Sequence, residues 1–174
     1  MEKIFFILNI SNQKKLNKII LKINSFFKAR KITYFVFQSE YKGHAKKLTK
    51  KAIDEKATSV VACGGDGTVN EIGSLLIGTN IKLGIIPLGS GNGIARHFNI
   101  PFKLNNCLNI IALNKYELID VGKVNSRYFI GNMGVGFESE FIKQYDIFNK
   151  HGVFYYFIAF IKGLYHFKFS KFEI

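Results

Sequence analysis

The sequence predicts an α/β fold: a parallel sheet covered by helices, followed by the start of a β-rich second domain. Three observations predict it. Short apolar runs alternate with amphipathic stretches along the N-terminal half. No tight hairpin signal joins one of these runs to the next, so the strands need crossovers. The runs are apolar at nearly every position, as strands buried on both faces must be.

Residues 3–10 (KIFFILNI) form the first expected strand. Residues 12–30 place Leu16, Ile19, Ile20, Ile23, Phe26 and Phe27 at helical spacing. Residues 32–37 (ITYFVF) are β-branched and aromatic, a second strand, and 43–57 an amphipathic helix. A third strand is expected at 58–63, a helix closed by a glycine at 68–78, and a fourth strand at 82–88. A helix follows at 91–98, bounded by Pro101. The rhythm then changes. Residues 116–124 and 127–133 flank Asn125-Ser126 as a hairpin would, a helical region covers about 137–167, and FKFSKFEI looks like a further strand at its start. A boundary between 114 and 124 therefore separates a first domain, residues 1–115, from the beginning of a second, residues 116–174.

A chain of 174 residues, 48% of them hydrophobic, can build a real core, which excludes a disordered chain. Cys63 and Cys107 occur without a secretory cleavage signal, so a reducing cytoplasm is expected, with both thiols as apolar filler. No apolar run is long enough for a transmembrane helix. The nearest, residues 152–167, is interrupted by Lys162, Gly163 and His166. It is expected as a half-buried helix, with a membrane-interface helix as the alternative. A net charge of +13 attracts nucleic acid, anionic lipid or phosphate substrates. No RNA-binding consensus, zinc finger or arginine block is present, so nucleic acid is not expected as a partner. No Cys/His metal spacing is present either.

Two glycine-rich loops carry the chemistry. The first, GGDGT (Gly64, Gly65, Asp66, Gly67, Thr68), follows the third strand and leads into a helix. Glycines allow positive φ and close approach of a ligand to the main chain. Successive N–H groups at a helix start then form a phosphate cradle. The loop lacks the Lys of a Walker motif, and no Rossmann fingerprint occurs in the chain. A carboxylate in such a cradle repels phosphate unless Mg²⁺ bridges them or the carboxylate takes a proton from an attacking hydroxyl. The bland alternative is an Asp that bonds its own turn. The second loop, LGSGNGIAR, also follows an apolar strand and opens a helix. Adjacent parallel strands would bring both loops to one sheet edge, with the Ser90 hydroxyl, the Asn92 amide and the Arg96 cation. Arg96 taken alone is equally a solvated helix residue.

GGDGTVNE followed by LGIIPLGSGNGIARHFNIP resembles the diacylglycerol kinase catalytic domain family, which includes sphingosine and ceramide kinases and bacterial YegS-type lipid kinases. GHAKKL and IDVGKVNSRYFIGNMGVGFESEF are similar to two further blocks of that family, so the resemblance runs from about residue 3 to the end. GGDGT alone is shared with NAD kinases and phosphofructokinases. The resemblance implies ATP- and Mg²⁺-dependent transfer of a γ-phosphate to a lipid hydroxyl. A lipid substrate has to be reached at a bilayer, so with a charge of +13 this expected cytoplasmic protein is also expected to meet the inner face of the membrane peripherally.

It places ATP between the two loops. Gly64, Gly65, Asp66, Gly67, Thr68, Val69 and Asn70 fall on the nucleotide-phosphate loop, and Gly89, Ser90, Gly91 and Asn92 on the second. Asn9 falls on a first-strand Asn, Ser39 on a nucleotide-contacting Thr, and Ser90 on the Thr of the second loop. Asp66 is implied as the catalytic residue and Mg²⁺ ligand. Two departures are visible: NISNQKK lacks the Pro and Gly of the family's first loop, and Gly93 stands where an Asp is usual. An NAD kinase-like enzyme and a non-catalytic nucleotide-binding fragment are the alternatives. Because the second domain has barely begun, the 174-residue chain is expected to self-associate through open edges and to show little kinase activity by itself.

Overall fold

The computed structural model describes residues 2–148 and 153–167. Contacts divide the chain into two compact units, Met1–Gly131 and Asn132–Ile174.

The first unit is built on a four-stranded parallel sheet, β1 (Lys3–Leu8), β2 (Thr33–Gln38), β3 (Ser59–Gly64) and β4 (Lys82–Pro87), in the order β2-β1-β3-β4. The central strands β1 and β3 are buried on both faces, which explains their unbroken apolar runs. Ile4, Phe6, Leu8, Val61 and Cys63 face helix α1 (Gln13–Ala29), whose Leu16, Ile19, Ile23 and Phe27 fill that side. Phe5, Ile7, Val60 and Ala62 face α2 (His44–Asp54) and α3 (Asp66–Leu76) through Ala45, Ala52, Val69, Ile72 and Leu76. Asn12 caps α1, its Oδ1 accepting the Lys15 N–H at 2.9 Å.

Helix boundaries depart from the sequence expectation for local reasons. α2 ends at Asp54 because Lys56 takes a left-handed turn, φ 57°. Helix α4 covers only Gly93–His97, since Asn92, at φ 53°, is left-handed. Helix α5 (Leu104–Ala112) was not expected, although Leu104, Cys107, Leu108 and Ile111 have helical spacing. Pro101 marks a helix stop, and the asparagines around it suggest a loop. The hairpin is shorter than expected: β5 (Gly122–Val124) and β6 (Arg127–Phe129) pair antiparallel across Asn125, while residues 116–121 form no strand. Among the described residues the ribbon has no third strand to extend it, and Leu118 stays exposed. Ile130 joins the α2–α3 side of the core, so the hairpin lies within the first unit.

In the second unit the expected helical region is two helices, α6 (Phe137–Asp146) and α7 (Val153–His166). Phe141 meets Tyr156 edge-on at 4.6 Å and Phe137 meets Phe160 at 5.4 Å. Gly163 allows this closeness: a Cβ there would lie 3.3 Å from the Phe141 Cα. Most of the strand expected over FKFSKFEI lies outside the described residues.

Both cysteines are free and buried. Burial raises the Cys63 thiol pKa strongly and pushes Cys107 up from 9.0 to about 11. Native protein at pH 8 should not react with a disulfide reagent such as DTNB, whereas the denatured chain should react at both sites. The folded state keeps its thiol protons to higher pH than the unfolded chain. Stability from this source is therefore complete below 9.0 and falls as pH rises from there towards about 11 for Cys107. Rapid labelling of the native protein would contradict the burial.

Candidate active site

The strand order changes direction between β1 and β3, and an open parallel sheet has a crevice beyond its carboxyl ends at such a switch. Asn9 leaves β1 there. Its N–H donates to the Cys63 carbonyl at 2.9 Å and its Nδ2 to the Thr68 Oγ1 at 3.0 Å. Ser39 leaves β2 beside it, buried, with its N–H on the Leu8 carbonyl at 2.8 Å. The carboxyl ends of β1, β2 and β3 thus gather Asn9, Ser39 and the first glycine loop on one edge.

That loop is built differently from the sequence expectation. Gly64 closes β3, Gly65 is extended (φ −94°, ψ −174°), and α3 begins at Asp66. None of Gly64, Gly65 and Gly67 has positive φ; among the described residues the glycines that do are Gly43, Gly78, Gly131 and Gly136. Close approach is what the first two positions require. A Cβ on Gly64 would lie 2.5 Å from the Thr68 Oγ1, and one on Gly89 would lie 2.6 Å from the Gly65 Cα. The two glycine loops are packed backbone on backbone, which places the second loop against the first as adjacent strands predict.

Gly67 differs. It is exposed and a Cβ there would meet nothing within 4 Å. Neither conformation nor packing explains its missing side chain. The N–H groups of Thr68 and Val69 both return to the Gly65 carbonyl, at 3.0 and 3.1 Å. Those of Asp66 and Gly67 precede them, at the positive end of the helix dipole. The cradle is therefore a helix N-terminus rather than a left-handed nest.

Asp66 joins the two loops. Its Oδ2 accepts the Gly93 N–H and its Oδ1 the Ile94 N–H, both at 2.9 Å. The carboxylate caps α4 across the crevice, neither bonding its own turn nor standing isolated. An ionised carboxylate has about four acceptor positions, so further ones remain for a cation or a hydroxyl. Asn92 closes the second loop on itself: Oδ1 accepts the Gly89 N–H at 2.9 Å and Nδ2 donates to the Gly89 carbonyl at 2.7 Å. Arg96 donates from Nε to the Gly91 carbonyl at 3.1 Å and lies over the Phe102 ring at 4.9 Å, so it is a strap on the loop. Ser90 and Gly91 are exposed on the loop surface.

Two expected residues point elsewhere. Val69 is a core side chain, leaving only its backbone near the loop, and the Asn70 Oδ1 accepts the Ile130 N–H at 2.9 Å. Two features escaped the sequence reading. One is the pair of α4 N–H groups. The other is Lys15, whose Nζ donates to the Leu88 carbonyl at 3.4 Å and puts a cation beside the second loop. The 73 positions between these partners leave no local signal. No cluster of three or more His, Cys, Asp or Glu occurs among the described residues. The donor set for a metal here is thus one carboxylate, which suits Mg²⁺ shared with phosphate oxygens.

An open parallel sheet with two interlocked glycine loops at its switch point is the class that the fold and site define. Residues 3–124 match the model of the diacylglycerol kinase catalytic domain, and the chain belongs to that family. A protein named probable lipid kinase YegS-like, from Pectobacterium atrosepticum, is 39% identical over 98 residues, which are 54% of this chain and 33% of that one. The protein of the same name from Yersinia pestis is 35% identical over the same extent. A diacylglycerol kinase structure from Bacillus anthracis has a TM-score of 0.64 at 24% identity, over 74% of this chain and 45% of that one. A structure from the same strain whose protein is named a putative diacylglycerol kinase reaches 0.65 at 26% identity, over 74% of this chain and 48% of that one. This chain thus spans about a third of the curated relatives it matches and about half of the solved ones.

Proposed function

We propose that the protein takes part in ATP-dependent phosphorylation of a lipid hydroxyl, with the first unit holding the nucleotide. The observation that carries this reading is Gly67: a glycine with ordinary φ and open space, beside helix N–H groups at the switch-point crevice. The family and the lipid-kinase names of relatives support the reaction class.

The N–H groups of Asp66 and Gly67 receive phosphate oxygens, and the missing Gly67 Cβ lets them come close. Ser90 offers its hydroxyl from the facing loop, and Asn9 fixes Thr68 behind the cradle. Asp66, anchored by α4, holds the Mg²⁺–phosphate group and accepts the proton of the attacking hydroxyl. Bound Mg²⁺ would neutralise phosphate charge during transfer. No described helix is long and apolar enough to cross a membrane. Cytoplasmic location with peripheral contact is part of the proposal.

Overexpression of the complete gene, at its full encoded length, should put label from the ATP γ-phosphate into the lipid fraction of cell extracts. Label confined to soluble nucleotides would overturn the reading. Gly67→Ala gives a second test. Alanine fits the site and favours the helix by up to about 1 kcal/mol. Its unfolding midpoint should therefore hold or rise, while Mg²⁺–ATP affinity drops by roughly tenfold or more, the loss of a charge-assisted contact. Unchanged affinity by titration would remove phosphate from this loop.

A further inference from the structure

The charge of the first unit is sorted between the two faces of its sheet. Helices α1 and α5 lie on one face. No Asp or Glu occurs anywhere in residues 3–39 or 72–116, so neither helix nor its flanks carries a carboxylate. The opposite face, with α2 and α3, is also rich in lysine but mixes in Asp54, Glu55, Asp66 and Glu71, and Glu55 pairs with Lys51 and Lys3. On the acid-free face an open groove of about 910 Å³ runs between α1 and the start of α5. Lys18, Lys22 and Lys103 line it, above a largely apolar floor that includes Ile19 and Leu104. None of these three lysines is in an ion pair among the described residues. Leu21 stands between two of them with 69% of its surface exposed, and Phe102, next to Lys103, is 49% exposed.

Unpaired lysines around exposed apolar side chains suit a surface that is anionic at its headgroups and apolar just beneath. A nucleic acid or a free phosphate would use the cations and leave Leu21 and Phe102 in water. We infer that the α1–α5 face is a docking surface for an anionic lipid bilayer, with Lys18, Lys22 and Lys103 on the headgroups and Leu21 at the acyl boundary. This deepens the lipid-phosphorylation reading and rests on it for the choice of a bilayer. It also gives the basic composition a place: the lysines of α2 have carboxylates among them, whereas those of α1, and Lys103 at the start of α5, have none.

The test is co-sedimentation of the 174-residue chain with phosphatidylcholine–phosphatidylserine vesicles lacking diacylglycerol and ATP. Failure of phosphorylation then leaves this result standing, and the reverse. The triple variant Lys18→Glu, Lys22→Glu, Lys103→Glu should bind at least about 100-fold more weakly, from about fivefold for each lysine near the surface. A charge-matched control on α2, Lys46→Glu, Lys47→Glu, Lys50→Glu, should lose far less, because it changes net charge equally but sits on the other face. Leu21→Ser should keep attraction at low salt and release more readily at high salt, where screening removes the lysine contribution. Circular dichroism checks that each variant folds. Equal losses in the two triples, or equal binding of the parent chain to neutral vesicles, would overturn the assignment. So would tight, lysine-dependent oligonucleotide binding that vesicles do not compete for, since it would make nucleic acid the occupant.

Discussion

Asp66→Asn is expected to lower phosphoryl transfer by about 10²–10⁴, the range for loss of a positioned proton acceptor. The substitution conserves size and removes charge. It also disturbs the link between the loops. Asparagine has one acceptor oxygen, so one of the Gly93 and Ile94 N–H groups must face an amide donor instead of a carboxylate oxygen. Losing one charge-assisted bond costs about 1.5–3 kcal/mol, which an ordinary domain survives. The rate effect should therefore exceed anything that partial unfolding explains. Assay of the lipid-phosphorylating protein, with folding followed by circular dichroism, separates the two. A folded Asp66→Asn protein with wild-type turnover would remove Asp66 from the mechanism.

Gly89→Ala should act through geometry. Its Cβ would lie 2.6 Å from the Gly65 Cα and 3.0 Å from the Asn92 Oδ1. The first neighbour is backbone and cannot rotate away, so the loops must separate. That movement pulls on the two Asn92 bonds to Gly89 and on the Asp66 cap of α4. Overpacking of this kind costs about 1–3 kcal/mol. Misplacing site groups by about an ångström can cost about 100-fold in rate. Urea melts and Mg²⁺–ATP titrations should therefore both show losses, in contrast to Gly67→Ala, where only binding falls. A Gly89→Ala protein with unchanged midpoint and affinity would mean that the loop contact has no role.

The strand–helix alternation was legible because β1 and β3 are buried on both faces and α1 keeps an unbroken apolar stripe. The pairing of the two glycine loops was legible for the same reason: adjacent parallel strands end at one edge. Local conformation was less so. Glycine at 64, 65 and 89 suggests positive φ, yet tight packing, against Thr68 at 64 and between the loops at 65 and 89, demands glycine as strongly. Nothing local tells the two apart. The Asp66 cap was hidden because its partners are 27 and 28 residues away and are backbone groups, which any residue type supplies. α5 was missed to a proline signal that ends α4 but leaves room for a new helix to start. The hairpin was drawn too long because apolar composition does not tell a paired strand from an extended segment that pairs with no strand among the described residues, as 116–121 do.

The central claim is that ATP phosphates rest on the start of α3, between the two loops. Amide chemical-shift mapping of the isotope-labelled chain during a Mg²⁺–ATP titration tests it most directly. The largest changes should fall on Asp66 and Gly67 and on Gly89, Ser90 and Gly91 of the facing loop. Changes confined to other elements, or a saturating titration that leaves Asp66 and Gly67 unmoved, would contradict it.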